Sequence, residues 1–212
     1  MVIFGYQSLA LVKKVLIASS LAVSLWSFIA FTTPAMAADN PPPLGGIFAD
    51  NFILSDPPRP APLGAFTNLA GKALTLADFR GSLIVLNFWA TWCAPCRQEM
   101  PSLDRLQTLL GPKGLKIIAL SLDRAGKAAV AAFMEELGLT SMEAFLDSGN
   151  QSARDFVVQG LPATFIIDPS GGLVGGLLGP AEWDSPDALM LLRHHLPDSE
   201  REGEQDLLRT SG

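Results

Sequence analysis

The chain has two cysteines, Cys93 and Cys96, separated by Ala94 and Pro95. They follow an apolar, β-rich run, Leu83-Ile84-Val85-Leu86-Asn87-Phe88-Trp89. They open a segment with Leu103, Leu106, Leu109 and Leu110 at helical spacing. A dithiol between a buried strand and a helix start points to reversible redox chemistry. Residues three apart in a first helical turn share one side, so the two sulfurs are within bridging reach. Free N–H groups and the helix dipole favour a thiolate at that end. Cys93, at the exposed start, is the expected nucleophile, and Cys96, deeper in the turn, the resolving thiol. Pro95 stands where a missing N–H costs little, and Pro101 predicts a kink further along. In exchange, the Cys93 thiolate attacks a partner disulfide and a mixed disulfide forms. Cys96 then displaces the reduced partner and leaves Cys93–Cys96 oxidised. Two other uses of the pair compete. A structural disulfide around so short a loop would stabilise little. Zinc would need two further ligands, and the chain's two histidines, His194 and His195, are neighbours in a distant predicted helix.

The residues around the pair carry further expectations. Glu99 lies one turn beyond Cys96, placed to accept a proton or, if buried, to raise the thiol pKa; the competing reading is a solvent-facing helix carboxylate. Asn87 is the one polar side chain in its strand and must point at something that bonds it. Trp89 and Trp92 flank the motif and are expected to shield it and to form part of a docking surface, with plain core packing the rival for Trp89. Met100 is a soft ligand near the sulfurs in sequence, and packing on its helix is the simpler reading. Leu161-Pro162 precedes the Thr164 strand, where a proline is allowed, and its cis or trans state is open at this level.

These residues need a frame, and the composition supplies one. The 212 residues suit one domain with extra sequence at the ends. With 49% apolar residues, 17% charged residues and a net charge of −6, nucleic-acid binding is a poor fit. Lys13 and Lys14 precede an uncharged apolar run, Val15 to Phe31, and Ala35-Met36-Ala37 offers small residues for cleavage. Residues 1–37 therefore read as a signal peptide or an uncleaved membrane anchor, and either exports the remainder. Residues 38–62 are proline-rich and read as a stiff linker, with a short strand or turn within Ile47 to Leu54. The domain spans 63–197. It starts with a hairpin turning at Ala70-Gly71, then alternates strands and helices, and ends in a hairpin over 164–178 and a helix over 185–196. That order predicts an α/β fold, a central mixed sheet flanked by helices. Residues 198–212 are acidic, lack a packable pattern and are expected to be disordered. The glycines at 171, 172, 175, 176 and 179 fall in the last hairpin and its exit, which fits turns and close packing and not a dinucleotide site. No cofactor is expected.

Phe88-Trp-Ala-Thr-Trp-Cys-Ala-Pro-Cys-Arg-Gln-Glu99 resembles the exported thioredoxin-like proteins of the TlpA/ResA, cytochrome-c-biogenesis type. Leu161-Pro-Ala-Thr-Phe-Ile-Ile-Asp168 resembles their second signature. The likeness covers roughly Ala61 to Leu196. It implies a thioredoxin fold with a redox-active Cys93–Cys96 disulfide and an inserted helix and strand between Ser121 and Gly160. It implies that Pro162 is a cis-proline beside the dithiol, where the Leu161 backbone pairs with a bound partner, and that Glu99 is an active-site glutamate. Asn87 stands where cytosolic thioredoxin has a buried aspartate, which shifts proton handling towards Glu99. Trp92, Ala94 and Pro95 complete the expected contact surface. The resemblance further implies reduction of protein disulfides in apocytochrome c or copper-site proteins, with a membrane thiol-transfer protein as electron donor. A disulfide-forming oxidant, a thiol peroxidase and a non-enzymatic copper metallochaperone are the alternatives.

Overall fold

The computed structural model describes residues 44–197. The expectations for residues 1–37 and for the acidic tail 198–212 lie outside these. In chain order the elements are α1 (Gly46–Asn51), β1 (Phe52–Pro60), β2 (Phe66–Asn68), β3 (Ala73–Leu74), a 3-10 turn (Leu76–Phe79), β4 (Leu83–Trp89) and α2 (Ala94–Leu110). There follow β5 (Leu115–Ser121), α3 (Gly126–Glu136), β6 (Glu143–Leu146), α4 (Gln151–Asp155), β7 (Ala163–Ile167), β8 (Gly172–Leu178) and α5 (Pro186–His194). The strands form one sheet in the order β1-β8-β7-β4-β5-β6-β2-β3. β4 runs parallel to β5 and antiparallel to β7, so the sheet is mixed, as expected.

β4 is buried along its whole length because both faces of the sheet are covered. Its alternation sorts the side chains into two cores. Leu83, Val85 and Trp89 join Met100, Leu103, Leu106, Leu191 and Leu192 under α2 and α5. Ile84, Leu86 and Phe88 join Phe66, Phe145 and Phe156 on the other face. Asn87 has the parity of Val85 and Trp89, so the pleat turns it toward α2. The inserted segment expected between Ser121 and Gly160 is present as α3, β6 and α4. β6 pairs parallel with β5 and hands the sheet on to the β2–β3 hairpin.

The proline-rich stretch has the strand expected near Leu54, packed on the domain, but departs from the linker expected around it. Residues 46–60 form α1 and β1, and β1 pairs antiparallel with β8 at the sheet edge. An edge strand tolerates prolines because one side of its backbone has no partner. The ladder shifts register between Leu54 and Arg59, around the cis Asp56–Pro57 bond. Phe48 and Phe52 are buried, and Phe48 meets Trp183 edge-on with ring centres 5.4 Å apart. Gly175 makes the pairing possible, since a Cβ there would lie 2.5 Å from the Ile53 carbonyl oxygen. Aromatic anchoring and glycine clearance thus override the local preference for an extended spacer.

Candidate active site

The dithiol sits where β4 hands over to α2. The intervening loop is fixed from the end of β5: Asp123 accepts from the Thr91 backbone N–H at 2.8 Å and from the Thr91 hydroxyl at 2.7 Å. The Ser121 hydroxyl also donates to Asp123, at 2.8 Å. Cys93 is the N-cap of α2, with Pro95 in the first turn. Its sulfur accepts from the Cys96 N–H at 3.3 Å, so the helix start presents a donor to this sulfur. Cys93 and Cys96 are joined by a disulfide with a Cα–Cα distance of 5.3 Å. Cys93 keeps 5% of its surface exposed and Cys96 none, so Cys93 is the outer residue of the pair, less open than a helix start suggests.

The flanking residues divide. Trp92 is 72% exposed and Ala94 is exposed beside it, while Pro95 is half-buried. Trp89 does not flank the motif at the surface. It is fully buried against Phe133, ring centres 4.7 Å apart, because β4 is covered on that face. Met100 is likewise sealed in the core under α2.

The second signature arrives from β7. The register pairs Phe88 with Ala163 and Asn87 with Thr164, so Pro162 lies level with the end of β4 and the start of the motif. The Leu161–Pro162 bond is cis. Pro162 is buried, Leu161 half-buried, and the Pro162 carbonyl accepts from the Gly179 N–H at 2.9 Å. A groove of about 550 Å³ runs across β8 between β1 and the α4–β7 connection, with Ile53, Val157 and Leu178 exposed at it. Neither cysteine lines that groove.

Glu99 is the polar centre of the site. It is 2% exposed, which settles the choice between a solvent-facing and a buried carboxylate. The Asn87 amide N–H₂ donates to Glu99 Oε1 at 2.7 Å and to the Thr164 hydroxyl oxygen at 2.9 Å. The Ala181 N–H and the Trp183 indole N–H donate to Oε2 at 3.1 and 3.2 Å. Burial penalises the charge more than these donors relieve it, and the Glu99 pKa is pushed up from 4.5 to about 7. A carboxyl so placed takes up and releases a proton near neutral pH.

Sequence reasoning had placed Asn87 and Glu99 but not Thr164, Ala181, Trp183 or Asp123. The β8–α5 connection brings in Trp183, which lies 84 residues from Glu99. A tryptophan in a loop of Gly179, Pro180, Ala181 and acids was the available signal, since such a loop needs an apolar anchor. Ser102 ties the loop down: its hydroxyl accepts from the Trp183 N–H at 3.0 Å and donates to the Glu99 carbonyl at 2.7 Å.

The AhpC/TSA family model matches residues 57–175. Thiol-disulfide oxidoreductase ResA of Bacillus anthracis is 37% identical over 134 residues, which span 63% of this chain and 76% of that protein. The chain belongs to the ResA-like thiol–disulfide oxidoreductases. ResA of Bacillus subtilis (strain 168) is 34% identical over 134 residues, 63% of this chain and 67% of its own. Among solved structures, a thiol:disulfide interchange protein of the thioredoxin family from Chlorobium tepidum TLS superposes with a TM-score of 0.53 at 27% identity. It covers 63% of this chain and 97% of its own. The fold is therefore of the thioredoxin type, the reaction is thiol–disulfide exchange, and the enzyme's partners are protein thiols and disulfides. Among the described residues, no helix is long and apolar enough to cross a membrane.

Proposed function

We propose that this ResA-like enzyme works outside the cytoplasmic membrane as a reductant of protein disulfides, in cytochrome c maturation or copper-site assembly. The export pattern of residues 1–37, as a signal peptide or an anchor, supports the compartment. One observation carries the direction: both sulfurs are almost wholly buried, and a buried carboxyl stands one helical turn beyond the inner one. Strong oxidants of this chemistry owe their potential to a stabilised thiolate in the reduced form. Here burial and a neighbouring acid disfavour the thiolate, and the Cys96 N–H with the helix dipole works against them. The dithiol then gives up its electrons readily.

Each residue takes a role. Cys93, the outer sulfur, attacks the partner disulfide. Cys96 resolves the mixed disulfide, and Glu99 accepts the proton that Cys96 releases. Trp92, Ala94 and Pro95 meet the partner from the helix side, and Leu161 and Pro162 from the β7 side. Asn87 holds Glu99. Because the pair ends oxidised, a membrane thiol-transfer protein must reload it.

Trapping tests this reading. The Cys96→Ala variant cannot resolve the mixed disulfide, so Cys93 should stay linked to its partners in cells. Apocytochrome c, or proteins that assemble copper sites, are the expected catch. A broad set of newly exported proteins would instead identify a disulfide-forming oxidant.

A further inference from the structure

The hydrogen bonds around Glu99 are arranged asymmetrically, and the asymmetry has a consequence for where its proton can sit. Oε2 accepts two N–H groups, from Ala181 and from the Trp183 indole. Neither donor can become an acceptor. A proton on Oε2 would face two hydrogens. Oε1 has a single partner in this cradle, the Asn87 amide at 2.7 Å. A proton on Oε1 would face that N–H₂ group, which an amide escapes by turning half a revolution and presenting its oxygen. Asn87 Oδ1 is buried and has no hydrogen-bond partner. After the turn it would accept from the protonated Oε1 and from the Thr164 hydroxyl, which rotates to donate. The number of bonds is conserved, so the amide serves both protonation states.

We infer that the Asn87 amide turns over each time Glu99 takes up its proton, and that Trp183 with the Ala181 N–H confines this proton to Oε1. Asn87 and Trp183 are positioning residues for the exchange reaction, acting through Glu99. This inference rests on the proton-carrying role proposed above for Glu99. No charged side chain contributes to the Glu99 shift. The elements packed on it supply Asn87 from β4, Thr164 from β7, and Ala181 and Trp183 from the last loop. The loop's own acids, Glu182 and Asp184, pair outward with Arg105. In the oxidised protein Cys93 and Cys96 are held in their disulfide and add no titrating group.

The test is a titration of the Glu99 side-chain carbonyl carbon by NMR in the oxidised full chain. Trp183→Phe removes a donor whose bond to Oε2 is strong in the carboxylate and weaker in the neutral acid, and should raise the Glu99 midpoint by about one pH unit, the excess of a hydrogen bond to a charge over one to a neutral carbonyl. Asn87→Ala removes a group that reverses its bond, donating to the carboxylate and accepting from the acid's O–H, and should raise it by less than half as much. Equal shifts for the two variants, or none for Trp183→Phe, overturn the inference. Unaltered protein gives a second readout if Asn87→Ala does not fold. The NOE from the Asn87 amide protons to the Thr164 side chain should be present above the Glu99 midpoint and lost below it; its persistence at low pH would also overturn the inference. Protein-disulfide reduction by Glu99→Gln is a separate measurement: a wild-type rate there sinks the proton-carrying role and leaves the NMR result standing.

Discussion

Glu99 should make the oxidised protein less stable as the pH rises from 4.5 to 8, and Glu99→Gln should abolish that loss. Burial holds the folded-state pKa at about 7 against an ordinary value of 4.5. Below 4.5 both folded and unfolded chains carry the proton, and burial costs nothing extra. Between 4.5 and 7 the unfolded chain releases the proton while the folded one retains it, so stability falls with rising pH. Above 7 the folded protein holds a buried carboxylate and the loss levels off. The interval from 4.5 to about 7, at about 1.4 kcal/mol per pH unit, amounts to roughly 3 kcal/mol. Glutamine keeps the shape and does not titrate. Its carbonyl can accept from Ala181 and Trp183, and its NH₂ faces Asn87. Urea unfolding of both proteins at several pH values, with the disulfide intact, gives the comparison. Other carboxylates titrate alike in the two and cancel in the difference. The variant should gain about 3 kcal/mol relative to wild type between pH 4.5 and 8. A difference that stays flat across this range would refute the burial argument.

Two further outcomes follow from the edge strand and the exposed tryptophan. In Gly175→Ala the new methyl would sit 2.5 Å from the Ile53 carbonyl oxygen, a backbone atom that cannot swing aside. Denaturant unfolding should show a loss of about 1–3 kcal/mol, with faster hydrogen exchange in β1; an unchanged midpoint would mean that β1 does not hold the sheet edge. Trp92 is 72% exposed, so Trp92→Ala should change stability by less than about 0.5 kcal/mol. It should slow exchange with a protein disulfide several-fold but leave exchange with a small disulfide untouched, and equal rates with both would remove Trp92 from the docking surface.

The sequence alone determined what depends on neighbours along the chain. A continuous apolar run makes β4 a central strand, and the Cys-Ala-Pro-Cys spacing at a helix start makes a bridgeable pair. The odd–even pleat also puts Asn87 on the same face of the strand as Val85 and Trp89. Tertiary structure decided what depends on partners far apart in sequence. A carboxylate on a helix is ordinary in water; Glu99 became an acid with a pKa of about 7 because a loop 82 residues away closed over it with the Ala181 N–H. The proline-rich segment became a helix and an edge strand because Gly175 left room on β8, and because Trp183 received Phe48. Trp89, four residues before Cys93, went to the core because α3 brought Phe133 against it. Local pattern specifies which groups can react, whereas burial and long-range hydrogen bonds, which set their charge, exist only once the chain has closed on itself.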